Sequence, residues 1–163
     1  MGVVKAVITQ NVDGLHQRAG STEVVELHGS IWRARCRKCG AIYRLEKTVE
    51  EVPPRCVKCG GLLRPDVVWF GEPLPQEAWR EATELAATSD VMLVVGTSGV
   101  VYPAAHIPHI AKRAGALVVE VNIEPSSITP IADFFIRGKA GEVLPRILEE
   151  VRKRLGTRRI STS

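Results

Sequence analysis

Two rhythms of apolar and polar residues alternate along this chain. Short β-branched runs at Val3–Ile8 (VVKAVI), Val24, Val25 and Leu27, Val91–Val95 (VMLVV), Leu117–Val121 (LVVEV) and Phe134–Ile136 have the length and residue types of buried strands. Between them come helical spacings. Trp79, Ala82, Leu85 and Ala86 share one face, and Ile107, Ile110, Ala111 and Ala114 share another. A last helix carries Val143, Leu144, Ile147, Leu148, Val151 and Leu155, with Glu149–Lys153 and Glu150–Arg154 spaced as acid-to-base pairs on its outer face. Gly156 is expected to stop it, leaving 157–163 as a disordered tail. Such alternation predicts an α/β fold with a mainly parallel sheet and helices on both faces. Ligands of such sheets bind at the carboxyl ends of strands. Gln10-Asn11, His28, Gly96-Thr97-Ser98 and Asn122 all fall at predicted strand ends.

Composition adds a core and a bias. With 163 residues and 45% apolar content the chain can bury a core and should be globular. It has no apolar run of the roughly 18 residues that would suggest a membrane span, and no leader pattern at its start, so a soluble, cytoplasmic protein is expected. Ala6 stands where a myristoylation signal would have Ser or Thr, and no lipid anchor or membrane partner is expected. The formal charge of +4 is unevenly spread, because residues 31–66 hold nine Lys/Arg against four Asp/Glu. A basic module can meet an acidic surface or nucleic acid, but a solvated basic face is the simpler reading, and direct nucleic-acid binding is not expected.

All four cysteines lie in that segment, as Cys36-x-x-Cys39 and Cys56-x-x-Cys59. Paired knuckles at this spacing are those of a tetrahedral four-thiolate zinc site. Gly40, Gly60 and Gly61 supply permissive backbone just after each knuckle. Four protein ligands leave no coordination position for water, so such a metal is structural. Two disulfides, a redox pair or an iron–sulfur cluster are the alternatives, and zinc is preferred for a cytosolic chain. By itself the module would equally suit a non-catalytic zinc-bearing module that binds protein or nucleic acid.

The flanking segments narrow the choice. Ile8-Thr9-Gln10-Asn11-Val12-Asp13-Gly14-Leu15-His16, followed by Leu27-His28-Gly29, resembles the signature around the catalytic histidine of the sirtuins, NAD-dependent protein-lysine deacylases. In the same order come the knuckles, Arg64-Pro-Asp-Val-Val-Trp-Phe-Gly-Glu72, Gly96-Thr97-Ser98 with Val101-Tyr102-Pro103, Asn122-Ile123-Glu124 and Gly138-Lys139-Ala140. The resemblance implies a Rossmann-type domain from residues 1–30 and 67–156, interrupted by a zinc module at 31–66. It implies NAD as co-substrate, structural zinc on Cys36, Cys39, Cys56 and Cys59, and acylated-lysine proteins as partners. The acyl-lysine oxygen would attack the nicotinamide ribose, with nicotinamide released and the acyl group passed to ADP-ribose.

Residue by residue, the resemblance makes His28 the general base on a ribose hydroxyl, a task suited to imidazole. Asn11 and Asp13 would position ribose and carboxamide for catalysis, and Gln10 would contact the ribose. Gly96, Thr97 and Ser98 would meet phosphate or ribose, Asn122 and Glu124 the adenosine ribose, and Ala140 adenine. Val68, Trp69, Phe70 and Gly71 would receive the substrate, Val68 by strand addition. Taken singly, each has a plainer reading: His28 as a structural histidine, Asn11 and Asp13 as turn formers, Gly96–Ser98 as a capped turn, Trp69 and Phe70 as core.

The family's first strand and glycine-rich loop have no counterpart here. The expectation is a shortened reading of a longer protein, with the isolated chain binding NAD poorly and inactive. Self-association through the gap left by the missing strand is a further route. Within the enzyme class, protein mono-ADP-ribosylation is the nearest alternative activity.

Overall fold

In this computed structural model residues 4–45 and 52–160 are described, side chains as far as Leu155. Val3, the charged residues of 46–51 and residues 161–163 lie outside them. The chain divides into two compact units meeting at Leu85/Ala86.

The first unit holds two small sheets. β1 (Val7–Thr9) and β2 (Val24–Glu26) pair in parallel, separated by a one-turn helix, α1 (Leu15–Arg18). β3 (Gly29–Cys36) lies at the centre of an antiparallel sheet between β4 (Ile42–Arg44) and β5 (Leu63–Val67). β2 reaches β3 through Leu27 and His28, and Leu27 is 1% exposed. Gly29 must be glycine: its φ is +77°, and a Cβ there would lie 2.0 Å from the Asp66 carbonyl oxygen. That close approach lets β5 cross directly over the residue after His28. The β3–β5 register then breaks between Ser30 and Ala34, so Ile31, Trp32 and Arg33 bulge out of the ladder.

A charged network ties the strands together. Arg33 reaches Glu26 on β2 at 2.8 Å and Asp66 on β5 at 3.1 Å, and Arg35 meets the other Asp66 oxygen at 2.8 Å. Burial opposes ionisation of Asp66, but Arg35 and Arg33 outweigh it and hold the carboxyl below its ordinary range. Burial also opposes the Arg33 charge, and Asp66 and Glu26 more than offset it.

α2 (Gln76–Ala87) runs across the boundary between the units, burying Ala82 and Ala86. The second unit is a parallel sheet, β6 (Val91–Val95), β7 (Leu117–Asn122) and β8 (Phe134–Arg137), in that order. α3 (His106–Arg113) packs on β6 and β7, and α4 (Ala140–Ile160) packs on β7. Its core is Val94, Val118 and Ile128, with Met92, Ile131 and Ala132 against it. A 3-10 turn at Thr129–Ile131 carries Ile128 into place. Glu120 is 1% exposed on β7, its carboxylate accepting from Thr129 Oγ1 at 2.6 Å and Asn122 Nδ2 at 3.4 Å.

The expected strands appear within a few residues of their apolar runs; the first is shorter, starting at Val7. The terminal helix does not stop at Gly156 but continues to Ile160, so the disordered tail expected from 157 is helical over its first four residues. A single glycine inside an established helix costs only about 1 kcal/mol relative to Ala, too little to end it. No described helix is long and apolar enough to cross a membrane.

Candidate functional site

The loop that leaves β1 is pinned group by group. The Asn11 N–H donates to Thr9 Oγ1 at 3.1 Å, and the Leu15 N–H donates to Asp13 Oδ1 at 3.0 Å, starting α1. The bulge of β3 supplies the remaining fastenings. Ile31 N–H reaches the Val12 carbonyl at 2.9 Å, and the Trp32 ring N–H reaches the Asp13 carbonyl at 2.7 Å. Gly14, at φ +68°, leaves room for the Trp32 ring, which a Cβ would meet at 2.9 Å.

His28 faces the same loop. Its Nδ1 lies 3.0 Å from the Gln10 carbonyl oxygen. A carbonyl only accepts, so Nδ1 carries the proton, and Nε2 is the nitrogen left to act as a general base. The His28 carbonyl in turn accepts the Val68 N–H at 2.9 Å. Thus His28, Gln10, Asn11 and Asp13 are gathered at the carboxyl ends of β1 and β2, with Val68 bonded to the histidine's own backbone. Asn11 is exposed and His28 half-buried, while Trp69 and Phe70 stand out in solvent rather than in a core. Gly71 follows at φ +87°.

Cys36, Cys39, Cys56 and Cys59 place their sulfurs within 4.8 Å of one another. Cys36 and Cys59 Sγ are 3.5 Å apart, Cys39 and Cys56 Sγ 3.6 Å. Ligands at the zinc–thiolate distance of about 2.3 Å on a tetrahedron lie about 3.8 Å apart, so this donor set fits one zinc ion. Backbone N–H groups of Lys38 and Cys39 point at Cys36 Sγ at 3.4 and 3.5 Å, and the Cys39 bond is the main cause that lowers the Cys36 thiol's pKa. The Tyr43 hydroxyl, 3.1 Å from Cys56 Sγ, brings that thiol down to about 6 and is itself pushed up to about 12. The Gly61 N–H favours the Cys59 thiolate, but the crowd of sulfurs, Cys39 first, prevails and pushes it up to about 12. The resistance of Cys59 to ionising among the other sulfurs is what a divalent cation at their centre would relieve.

In the second unit the remaining candidates sit at the carboxyl ends of the parallel strands. Gly96 turns the chain after β6 at φ +62°, and Thr97 Oγ1 accepts the Gly99 N–H at 3.2 Å. The Ser98 carbonyl accepts from Ser127 N–H at 3.1 Å. Asn122 Nδ2 donates to the Thr97 carbonyl at 2.9 Å, lashing the end of β7 to the turn after β6. Glu124 is exposed, and Ala140 is the first residue of α4, just past β8. The turn at Gly96–Ser98 is not the cap of α3, which begins at His106.

Trp32 escaped the sequence reading, and Arg64 and Glu72 stood in it only as the ends of a segment that carries the family resemblance, not as a pair. Exposed aromatic and charged residues carry no periodic signal, and their partners lie elsewhere in the sequence.

A three-stranded parallel sheet with small-residue turns at its carboxyl ends, in one chain with a four-thiolate module and a histidine at a strand end, defines a Rossmann-type α/β class of protein. The Sir2 family model matches residues 1–103. A curated NAD-dependent protein deacylase 2 from Pyrobaculum aerophilum is 78% identical over 162 residues, covering 99% of this chain and 65% of that protein. A crystal structure of a Sir2 homologue–NAD complex superposes with a TM-score of 0.90 at 48% identity, over 94% of this chain and 60% of that one. Sir2Af2 bound to a myristoylated histone peptide gives 0.85 at 55% identity, over 97% and 69%. The chain belongs to the Sir2 family, the sirtuins. It spans about two thirds of the length of that curated deacylase.

Proposed function

We propose that the protein to which these residues belong is an NAD-dependent protein-lysine deacylase, with His28 as its general base. The observation that carries this reading is the bond from His28 Nδ1–H to the carbonyl of Gln10, the residue that leads into the Asn11–Asp13 loop, which leaves Nε2 as the nitrogen able to accept a proton. The relative's name and the NAD and acylated-peptide complexes of similar chains support it.

Bound NAD supplies an electrophilic ribose carbon, a nicotinamide leaving group and, as ADP-ribose, the acceptor of the acyl group. This chain's residues do the rest. His28 Nε2 takes the proton of a ribose hydroxyl, and the Gln10 carbonyl stabilises the imidazolium that forms. Asn11 and Asp13 orient ribose and carboxamide, with Gln10 beside them; Trp32 and Ile31 keep their loop from relaxing. Gly96, Thr97 and Ser98 face phosphate or ribose, Asn122 and Glu124 the adenosine ribose, and Ala140 adenine. Val68 offers main-chain groups to an acylated peptide, with Trp69, Phe70 and Gly71 beside the acyl-lysine. Cys36, Cys39, Cys56 and Cys59 would hold a structural zinc, which would brace the chain after β3 against the chain before β5.

The same reading places the protein in the reducing cytoplasm, supported by thiols grouped around one metal position rather than joined as disulfides. It also assigns no nucleic-acid partner to the module, in keeping with Arg33 and Arg35 being engaged by Glu26 and Asp66.

The test is nicotinamide release from labelled NAD by the protein to which these residues belong, in the presence of an acetyl-lysine peptide, with product analysis. Acyl-ADP-ribose should form, and His28→Ala should slow it at least about 10²-fold. Label appearing on protein instead, or a His28→Ala variant at the wild-type rate, overturns the proposal.

A further inference from the structure

The segment after β5 is held in shape by side chains. Arg64 Nη1 and Nη2 donate to the two oxygens of Glu72 at 2.6 and 2.9 Å, and Nη2 also donates to the Val67 carbonyl at 2.7 Å. Glu72 Oε2 accepts the Trp69 N–H at 3.0 Å, and the Glu72 N–H returns to the Trp69 carbonyl at 2.9 Å. The guanidinium carbon lies 5.7 Å from the Trp69 ring centre.

In an extended strand, neighbouring residues present their N–H and C=O to opposite sides. The Val68 N–H is taken by the His28 carbonyl, so Val67 C=O and Trp69 N–H face away from β3, and those are the groups that Arg64 and Glu72 occupy. One side of the segment is tied to the histidine's backbone and the other to a bidentate ion pair. Val68 C=O and Phe70 N–H carry no hydrogen bond among the described residues. Phe70 stands fully exposed, and Trp69 is 60% exposed.

The ion pair is too wet to serve global stability, with Arg64 31% and Glu72 40% exposed. Its forked geometry is nevertheless specific. Arg64 and the Trp69 N–H bring the Glu72 carboxyl down to about 2, so the clamp keeps its charge at any ordinary pH.

We propose that Arg64 and Glu72 are positioning residues for substrate: they hold Val67–Glu72 in the shape that receives an acyl-lysine peptide, leaving Val68 C=O and Phe70 N–H open and the two aromatic side chains displayed. This rests on the substrate reading given above. Neither residue touches the reacting atoms. Loss of the clamp lets the segment collapse onto its own free groups, and peptide binding suffers while the cofactor side does not.

The test uses the zinc-loaded protein to which these residues belong, not the isolated 163-residue chain, with Arg64→Ala, Arg64→Lys, Glu72→Ala and Glu72→Gln. Peptide affinity is read by anisotropy of a fluorescein-labelled acetyl-lysine peptide, and kcat and KM by nicotinamide release. Glu72→Ala and Arg64→Ala should weaken peptide Kd and raise peptide KM about tenfold, with KM for NAD held within about twofold. Glu72→Gln should recover most of the loss, because its amide oxygen still accepts the Trp69 N–H; Arg64→Lys, a charge without a fork, should fall between. Zinc content and circular dichroism identify any variant that misfolds, and the two conservative variants then decide. Unchanged peptide Kd in folded variants, or equal rises in both KM values, overturns the proposal. Wild-type protein that binds peptide but releases no nicotinamide sinks the deacylase reading and leaves the Kd ratio to judge the clamp. Wild-type protein that binds no acylated peptide sinks both.

Discussion

Gly29 is where a single methyl group should do the most damage. An Ala there must adopt φ near +77°, which costs an L-residue roughly 1–2 kcal/mol. Its Cβ would also sit 2.0 Å from the Asp66 carbonyl oxygen and 3.3 Å from Val67 Cα. Because the obstacle is backbone, β5 must retreat by about 1 Å, and such overpacking costs about 1–3 kcal/mol. The retreat strains the Val68 N–H bond to His28, a backbone bond worth about 1 kcal/mol. Together these give a loss of about 3–6 kcal/mol. Gly20→Ala is the control: φ is +93°, but nothing lies within 4 Å of the added carbon, so only the backbone strain of about 1–2 kcal/mol remains. Urea denaturation of zinc-loaded protein should separate the two variants by about 2–4 kcal/mol, and hydrogen exchange at the Val68 amide should quicken in Gly29→Ala alone. If the variants agree within about 0.5 kcal/mol, the close approach of β5 to Gly29 is not what requires glycine, and the reasoning fails.

In the second unit, Thr129→Val keeps the shape of the side chain but strips the buried Glu120 carboxylate of its shortest hydrogen bond and frees the Ser126 N–H; a loss of about 1–3 kcal/mol in urea denaturation is expected, and an unchanged midpoint would contradict it. Asp133 is held below its ordinary range by Lys112 and then by the Val118 N–H. A depressed folded-state value means that its stabilisation is complete above the unfolded pKa of about 3.9 and is lost as pH falls through the lower folded value. Acid titration of the denaturation midpoint should therefore be shallower below about pH 4 in Asp133→Asn than in wild type, and parallel curves would refute the assignment.

Much of the architecture was legible because it is local. β6 coincides with its apolar run, and β7 exceeds its run by a single residue, since a buried parallel strand needs only a short β-branched stretch. Gly96 and Asn122 followed from where such strands end, whereas Ala140 entered only through the family resemblance. What was illegible depends on partners far along the chain: Trp32 on Asp13, nineteen residues away, and Arg33 between Glu26 and Asp66. Nor could the terminal helix boundary be read from Gly156, where a modest propensity cost was taken for a stop.

The amino-acid order alone determined which sulfurs could share an ion, because a two-residue gap makes each knuckle a local turn, and it determined the alternation of strand and helix through periodicity. Only the tertiary structure decided that the His28 Nδ1 proton goes to the Gln10 carbonyl, that a bulge in β3 lends Ile31 and Trp32 to the loop after β1, and that Arg64 and Glu72 shape the segment after β5. Those features are hydrogen bonds between groups brought together by chain crossing, and a linear pattern carries no term for which donor will meet which acceptor.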